Sequence, residues 1–357
     1  MRTGIADLPL HCGSTPVWLF ERMKRLVRAV LQVIVAESGP AEFLRRISDP
    51  VWFQSLGCVA GFDWHSSGLT TTLCGAVKEA ARGREAELGI FVCGGKGRAS
   101  RRTPEEIDFH AERFGLDGEM LIQTSRLVAK VDSSGLLDGF QIYHHMFISA
   151  KSGEWAVVQQ GMNLTTHWAR RYHWHSEGLE SFVSEPHKAI VGQPASSVVN
   201  MVAREADDAR QVMVKLSQER PEKILREITR LKMPEHHPIL ESDISQKHLK
   251  KVLTSTYENP PIDFVQFLLT PGVGPKTVRA LALVAEVIYG APLSFRDPVT
   301  YTFAHGGKDG YPYPVRRVDY DRTISFLEWG VKEAQLGREE KLAALKRLEY
   351  WSRSISL

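Results

Sequence analysis

Aspartate, histidine and glutamine side chains gather beside glycine turns in the first half of the chain. The candidate metal ligands among them are Asp63, Asp132, His144, His145 and Gln159. Carboxylate and amide oxygens are ligands for Mg²⁺, and imidazole nitrogen shifts the preference toward Mn²⁺. An ion held in this way could activate water against a phosphodiester, so the pattern favours a divalent-metal-dependent nuclease. The alternative is a polar network whose members satisfy one another, and the spacing alone does not separate the two.

The candidate catalytic residues extend this cluster with two cations. They are Asp63, His65, Asp132, Lys96 and Arg170. The acids and the histidine would lie around the ion, while Lys96 or Arg170 would stabilise the charge that builds on the phosphate. Cysteine spacing indicates no further metal site, because none of the four cysteines forms a CxxC pair.

A second chemical pattern lies in the segment FLLTPGVGPKTVRALALVAEVIYG, residues 267–290. Its turn places Gly272 and Gly274 between two apolar runs, and both glycines permit positive φ and let a phosphate approach bare backbone. The helix that restarts after the turn directs free amides and the positive end of its dipole at the same place. The pattern indicates an anion-binding turn, although an ordinary connection between two packed helices has similar residues.

Residues 262–289 resemble the helix-hairpin-helix motif of DNA repair and recombination proteins, with Val278 where alanine is usual. The resemblance implies binding of duplex DNA by its backbone, without sequence preference. The residues that would make the contact are Gly272, Val273, Gly274, Lys276 and Thr277. Basic loops elsewhere could extend the contact to further phosphates. Their candidate residues are Arg98, Arg101, Arg102 and Lys308.

The same resemblance gives Lys276 a second role to consider. In the DNA glycosylases that carry this motif, the residue at this position can be a lysine that forms a Schiff base. An aspartate assists it there, and Asp297 is the candidate here. Their valine-aspartate-threonine-histidine pattern is missing, and no cysteine follows Cys93 to form their iron–sulfur site. Non-catalytic proteins with the motif carry a lysine here for phosphate contact, so both roles stay open.

Strand and turn patterns determine how the polar residues of the first half can meet. GFQIYHHMFISA and EWAVVQQGMN flank residues 151–153, which favour a β-hairpin turn. The pairing places His144 and His145 opposite Gln159 and Gln160. Because adjacent strand residues point to opposite faces, only one histidine can share a pocket with a given glutamine. With GIFVCGG, these strands predict a small antiparallel sheet.

Length and composition predict two domains with ordinary cores. The chain has 357 residues, of which 43% are hydrophobic and 24% charged. We predict an α+β fold in which residues 1–185 form an α+β catalytic domain and residues 186–202 a linker. Residues 203–357 would form an all-α DNA-binding domain that contains the helix-hairpin-helix. The net charge of +3 is too small to indicate nucleic acid by itself, so local patches would have to bind it.

The first residues, MRTGIADLPLH, lack the features of a secretory signal, and no run of about 18 apolar residues exists. These observations predict a cytoplasmic protein without a membrane span, and a homo-oligomer is compatible with them.

Four segments resemble the prokaryotic family called domain of unknown function 763. They are RTGIADLPLHCG, LGCVAGFDWHSSGLTTT, GEWAVVQQGMN and ARRYHWHSE. The resemblance implies a prokaryotic cytoplasmic protein and provides no catalytic residues. Three functions therefore stay open. They are a DNA-binding nuclease, which the density of Asp, His and Gln favours, a helix-hairpin-helix glycosylase or lyase that uses Lys276, and a DNA-binding protein without catalysis.

Overall fold

The computed structural model describes residues 15–62, 67–195, 198–230, 246–300 and 337–355, together with the helical residues 325, 329, 330 and 332. Helices pack on both faces of a small antiparallel sheet, which confirms the predicted α+β class. Within these ranges, none of the helices is long and apolar enough to cross a membrane.

Four helices form the layer on one face of the sheet. They are α1 (Val17–Ser38), α2 (Pro40–Ile47), α3 (Pro50–Val59) and α4 (Ser67–Ala81). α1 begins after Pro16 and ends at Gly39, where φ is +82°, a value that favours glycine. The buried residues of α1 recur every three or four positions, so one stripe of the helix packs against α4.

Four further helices follow α4 in the chain. They are α5 (Glu85–Leu88), α6 (Arg98–Arg101), α7 (Thr103–Phe114) and α8 (Gly118–Lys130). Asp117 caps α8 by accepting a hydrogen bond from the Met120 amide at 3.0 Å. At its other end α8 continues into a π-helical turn, Val131–Gly135. Side chains in such a turn point in different directions from those of a regular α-helix, and this turn contains Asp132.

The main sheet has five strands. They are β1 (Ile90–Lys96), β3 (Gln141–Ala150), β4 (Trp155–Asn163), β5 (Trp168–His175) and β6 (Ala189–Val191). The spatial order is β1-β3-β4-β5-β6, and all neighbours are antiparallel. β2 (Leu136–Leu137) pairs with β7 (Val199–Asn200) in a separate two-stranded sheet.

The β3–β4 hairpin confirms the predicted register. His144 lies opposite Gln160, and His145 lies opposite Gln159. Side chains alternate between the faces, so the two histidines belong to different layers. One face packs against α1 to α4, and the other packs against α7, α8 and the second half of the chain.

The second half contributes mostly helices. They are α9 (Asp207–Ser217), α10 (Pro221–Arg230), α11 (Gln246–Glu258), α12 (Phe264–Leu269), α13 (Pro275–Val287) and α14 (Arg338–Ile355). α13 is buried along most of its length and packs against α9 and the π-helical turn. α14 returns to the first helical layer, where Arg347 Nε donates to the Val59 carbonyl at 2.8 Å.

The stretch predicted as a linker, residues 186–202, contributes two strands. β6 pairs with β5 in the main sheet, and β7 pairs with β2. Backbone hydrogen bonds then tie these strands to later residues. The Asn200 amide donates to the Ser294 carbonyl at 2.8 Å, and the Thr300 amide donates to the Ile190 carbonyl at 3.0 Å. This stretch is therefore part of the sheets and more than a connection between them.

Candidate functional site

The Asp132 carboxylate lies at the centre of a buried polar network on the face that packs against α7 and α8. Oδ2 accepts hydrogen bonds from the Gln159 amide and from Trp174 Nε1, the latter at 2.9 Å. His187 Nε2 lies 2.5 Å from Oδ1. Both oxygens of this fully buried carboxylate therefore have partners within the protein.

His145 extends this network to α8. Its Nδ1 lies 2.8 Å from Gln159 Oε1, and its Nε2 lies 2.9 Å from Ser125 Oγ. Burial lowers the pKa of His145, so the ring is neutral, with one nitrogen donating and the other accepting. We call the whole set the Asp132 network, and its members are Ser125, Asp132, His145, Gln159, Trp174 and His187. We call the network closed, because both ring nitrogens of His145 and both carboxylate oxygens of Asp132 have hydrogen-bond partners.

The structure brings together three of the predicted metal ligands and separates a fourth. Asp132, His145 and Gln159 meet in the Asp132 network as hydrogen-bond partners. His144 lies on the opposite face of the sheet. The predicted ligands Asp63 and His65 lie outside the described residues. In the part of the chain that is described, no three His, Cys, Asp or Glu side chains are arranged to share an ion. The Mg²⁺ or Mn²⁺ site stays a prediction.

Arg170 lies in a second buried cluster, where two carboxylates hold its guanidinium. Nη1 is 2.9 Å from Asp138 Oδ2, and Nη2 is 2.7 Å from Asp297 Oδ2. The Tyr172 hydroxyl also donates to Asp138, at 2.7 Å. Burial alone lowers the pKa of Arg170, but the two carboxylates outweigh it and raise the pKa above its ordinary value. The predicted catalytic cation is therefore a buried structural partner for two acids.

The α12–α13 turn, residues 270–274, uses positive φ at one of its two glycines. Gly272 has φ +90°, whereas Gly274 has an extended backbone with φ −152°. Side chains from two other helices donate hydrogen bonds to two carbonyls of the turn. Lys130 Nζ is 2.6 Å from the Val273 oxygen, and His248 Nε2 is 3.0 Å from the Gly272 oxygen.

The predicted DNA-binding residues of this turn divide between surface and core. Gly272 and Lys276 are exposed, and Gly274 is half-buried. Val273 and Thr277 are buried, so their side chains anchor the turn and only their backbone could meet a ligand. The first intrahelical hydrogen bond of α13 runs from the Val278 amide to the Gly274 carbonyl, at 3.0 Å. The amides before Val278 therefore lie in the first turn of α13, where backbone N–H groups have no intrahelical acceptor.

A basic surface on α11 lies beside the turn, and the sequence interpretation did not include it. His248 contacts the Gly272 carbonyl, and a Cβ built on Gly272 would lie 3.1 Å from Val252 Cγ2. The exposed basic residues of this helix are Lys247, His248, Lys250 and Lys251. The sequence signal for them was present, because KHLKK places four basic residues in a stretch of five. Only the packing of α11 against the turn assigns them to this surface.

The remaining predicted phosphate contacts lie near the end of β1. Lys96, Arg98, Arg101 and Arg102 are exposed there, on β1, α6 and the residue that follows α6. Arg102 Nε lies 3.6 Å from Glu105 Oε2, so one of these cations has an acidic neighbour. Lys308 lies outside the described residues. The loop thus presents basic side chains to solvent, as its sequence predicts.

Comparison with known proteins agrees with the resemblance seen in the sequence. A family model described as "Protein of unknown function (DUF763)" matches residues 4–315. No curated protein and no solved structure matches the chain. Since the match covers most of the chain, including the sheet, the Asp132 network and the α12–α13 turn, the protein belongs to the DUF763 family.

Proposed function

We propose that the protein binds duplex DNA by its phosphate backbone, largely without sequence preference, through the α12–α13 turn and the adjacent face of α11. The resemblance of residues 262–289 to the helix-hairpin-helix motif motivates the proposal. Gly274 is the observation that carries it. A Cβ built on Gly274 meets no atom within 4 Å, and the extended backbone at this position is open to any residue. A glycine at this position is accounted for if a ligand from outside the protein approaches the Gly274 backbone closely.

The electrostatics of the turn favour a phosphate. Lys130 and His248 occupy the carbonyls of Val273 and Gly272, which reduces the negative charge that these two groups present to an approaching anion. The N-terminus of the 13-residue helix α13 adds free amides and the positive end of its dipole. The exposed Lys276 is the second residue of α13, and the lysines of α11 lie on the neighbouring surface. Contacts of this kind read the backbone and not the bases.

The structural setting of Lys276 favours phosphate contact over Schiff-base chemistry. A lysine that acts as a nucleophile is typically desolvated in a pocket, whereas Lys276 is exposed to solvent. Asp297, the candidate helper, accepts hydrogen bonds from Arg170 and from the Ala195 amide at 2.6 Å. Borohydride trapping on damaged DNA tests the lyase alternative directly, and we expect no covalent adduct.

A direct test is the substitution Gly274→Ser. Serine is a good N-cap, so its hydroxyl would bind the first amides of α13 in place of a phosphate while keeping the helix intact. We expect the Kd for duplex DNA to rise roughly tenfold, or about 1.4 kcal/mol, with no loss of thermal stability. The matched control is Gly337→Ser, which places the same residue before α14 and leaves DNA affinity unchanged. A folded Gly274→Ser variant with wild-type affinity contradicts the proposal.

The metal-dependent nuclease is tested in the same assay. Labelled duplex is incubated with EDTA, Mg²⁺ or Mn²⁺ and with the variants Asp63→Asn and Asp132→Asn. Cutting that needs the metal and both acids supports the predicted site. Cutting that persists in Asp132→Asn assigns Asp132 to the closed network alone, since its carboxylate already has three hydrogen-bond partners.

A further inference from the structure

A row of four polar side chains crosses four strands on the face that packs against α1 to α4. Lys96 lies opposite His144, His144 lies opposite Gln160, and Gln160 lies opposite Arg171. The row therefore has a cation at each end and two neutral side chains between them. Arg171 is buried and donates to Gln54 Oε1 at 3.0 Å, whereas Lys96 is exposed.

The centre of this row contains buried polar atoms without a hydrogen-bond partner among the residues that the structure describes. His144 is 1% exposed, and neither of its ring nitrogens has a partner in this part of the chain. Gln160 uses its amide nitrogen on the Ser67 carbonyl and the Tyr143 hydroxyl, and its Oε1 likewise has no described partner. His145, one residue along the chain on the other face, has both nitrogens paired. The row on the α1–α4 face is thus open where the Asp132 network is closed.

The chemistry of the unpaired atoms is specific. Burial lowers the pKa of His144 to about 3, with smaller contributions from His145 and Lys96. The ring is therefore neutral and offers one N–H donor and one acceptor nitrogen. A ligand that satisfies both ring nitrogens of His144 must supply a hydrogen-bond donor and an acceptor, as hydroxyl groups or the edge of a nucleobase do.

His144 lines a cleft that can hold such a ligand. The cleft lies between α1, α4 and the end of β1 and has a volume of about 490 Å³, within the range of small-molecule sites. Four cations and two carboxylates line it, and these are Lys24, Lys78, Arg82, Lys96, Glu21 and Glu79. The excess of positive charge favours an anionic ligand. The backbone of Gly94 and Gly95 forms part of the wall and exposes no side chain to it.

Lys96 is the cation best placed to bind that anion. Lys24 and Lys78 each lie within 2.6 Å of a glutamate oxygen, of Glu21 and Glu106 respectively. In the part of the chain that the structure describes, Lys96 forms no such ion pair, and its Nζ lies 5.9 Å from the centre of the Tyr143 ring. Lys96 also lies directly across the strands from His144. One anionic group and one hydrogen-bonding group could therefore be recognised side by side.

We propose that this cleft binds a small phosphorylated molecule whose carrier has hydrogen-bond donors, of the sugar phosphate or mononucleotide class. Lys96 would contact the phosphate, and His144 would contact the hydroxyls or the base. The site is on the sheet face opposite the Asp132 network and does not depend on DNA binding by the α12–α13 turn.

The experiment is isothermal titration of the intact protein with four probes: inorganic phosphate, ribose 5-phosphate, AMP and adenosine. We expect at least one phosphorylated carrier to bind more tightly than inorganic phosphate or adenosine, and the tighter of the two carriers identifies the class. His144→Leu and Lys96→Ala should each raise the Kd of that ligand roughly tenfold, the change expected for the loss of one hydrogen bond or ionic contact.

Two controls separate binding from folding. Lys151→Ala removes an exposed lysine at the opposite end of β3 and should leave the affinity unchanged. His144→Leu should keep its thermal stability, because no hydrogen bond from His144 to a described residue is lost. Failure of all four probes to bind the wild type, or wild-type affinity in folded His144→Leu, overturns the proposal. Equal binding of inorganic phosphate and both carriers overturns the role of His144. DNA binding in the Gly274→Ser test is not affected by any of these outcomes.

Discussion

His144 and His145 are adjacent in the sequence, yet they lie on opposite faces of the sheet with opposite hydrogen-bonding environments. Both ring nitrogens of His145 have partners, whereas neither ring nitrogen of His144 has one among the residues that the structure describes. Both side chains are buried. The two histidines should therefore contribute differently to the stability of the fold.

The same substitution at these two positions should have different effects on stability. His145→Leu leaves Gln159 Oε1 and Ser125 Oγ buried without their partner, so we expect the free energy of unfolding to fall by about 1–3 kcal/mol. His144→Leu removes two atoms that are already unpaired and should leave this free energy unchanged or higher. Urea denaturation of both variants measures the difference. Equal destabilisation of the two variants would contradict the difference between the closed Asp132 network and the open row that contains His144.

The stability of the wild type should fall in acid partly because of His144. The unfolded chain binds a proton at this residue below about pH 6.5, whereas in the folded protein burial holds the pKa near 3. The unfolded state therefore binds more protons in this window, and the free energy of unfolding falls as the pH decreases through it. Between pH 7 and pH 5, His144→Leu should lose about 2 kcal/mol less than the wild type. Parallel pH profiles of unfolding would contradict this assignment.

The two glycines of the α12–α13 turn should differ in what they tolerate. Gly272 has φ +90°, and an added Cβ would lie 3.1 Å from Val252 Cγ2, so Gly272→Ala should cost about 1–2 kcal/mol of stability. Gly274→Ala meets no atom and needs no unusual φ, so its stability should match that of the wild type. Thermal unfolding measures both effects. A Gly274→Ala variant as unstable as Gly272→Ala would contradict the observed turn geometry.

The lysines beside the turn should appear in the salt dependence of DNA binding. Each phosphate contact contributes a slope of about −0.9 in a plot of log K against log salt concentration. Lys276→Ala, Lys247→Ala and Lys251→Ala should therefore each reduce the slope by about 1, similarly for unrelated duplex sequences. Lys151→Ala is the charge-matched control and should leave the slope unchanged. Fluorescence anisotropy over a salt series makes the measurement, and unchanged slopes in all three variants would exclude this surface.

Arg170 should be essential for stability. Arg170→Met leaves the buried Asp138 carboxylate and the largely buried Asp297 carboxylate without their cation. Breaking a buried ion pair on one side costs about 3–5 kcal/mol, so we expect that loss in the free energy of unfolding. Arg170→Lys keeps the charge but loses the fork that reaches both acids, and an intermediate loss should result. A folded Arg170→Met variant of wild-type stability would show that the two acids do not depend on Arg170.

The sequence by itself determined the features that depend on neighbouring residues. Strand alternation and the turn at residues 151–153 were enough to place His144 opposite Gln160 and His145 opposite Gln159, because register in a hairpin follows from the turn. Gly39 ends α1 for a similarly local reason, as a helix needs a residue that tolerates positive φ where the chain turns away. The α+β class and the family resemblance rest on many such local signals.

Only the tertiary structure decided how the polar residues are partnered. The segment ARRYHWH was not predicted to be a strand, because buried arginine and histidine need partners that lie far away in sequence. Arg170 finds Asp297, which is 127 residues further along the chain, and Lys130 finds the carbonyl of Val273, 143 residues away. The turn sequence likewise did not reveal which glycine takes positive φ, since both permit it. The division of polar residues between a closed network and an open row comes from packing across the sheet.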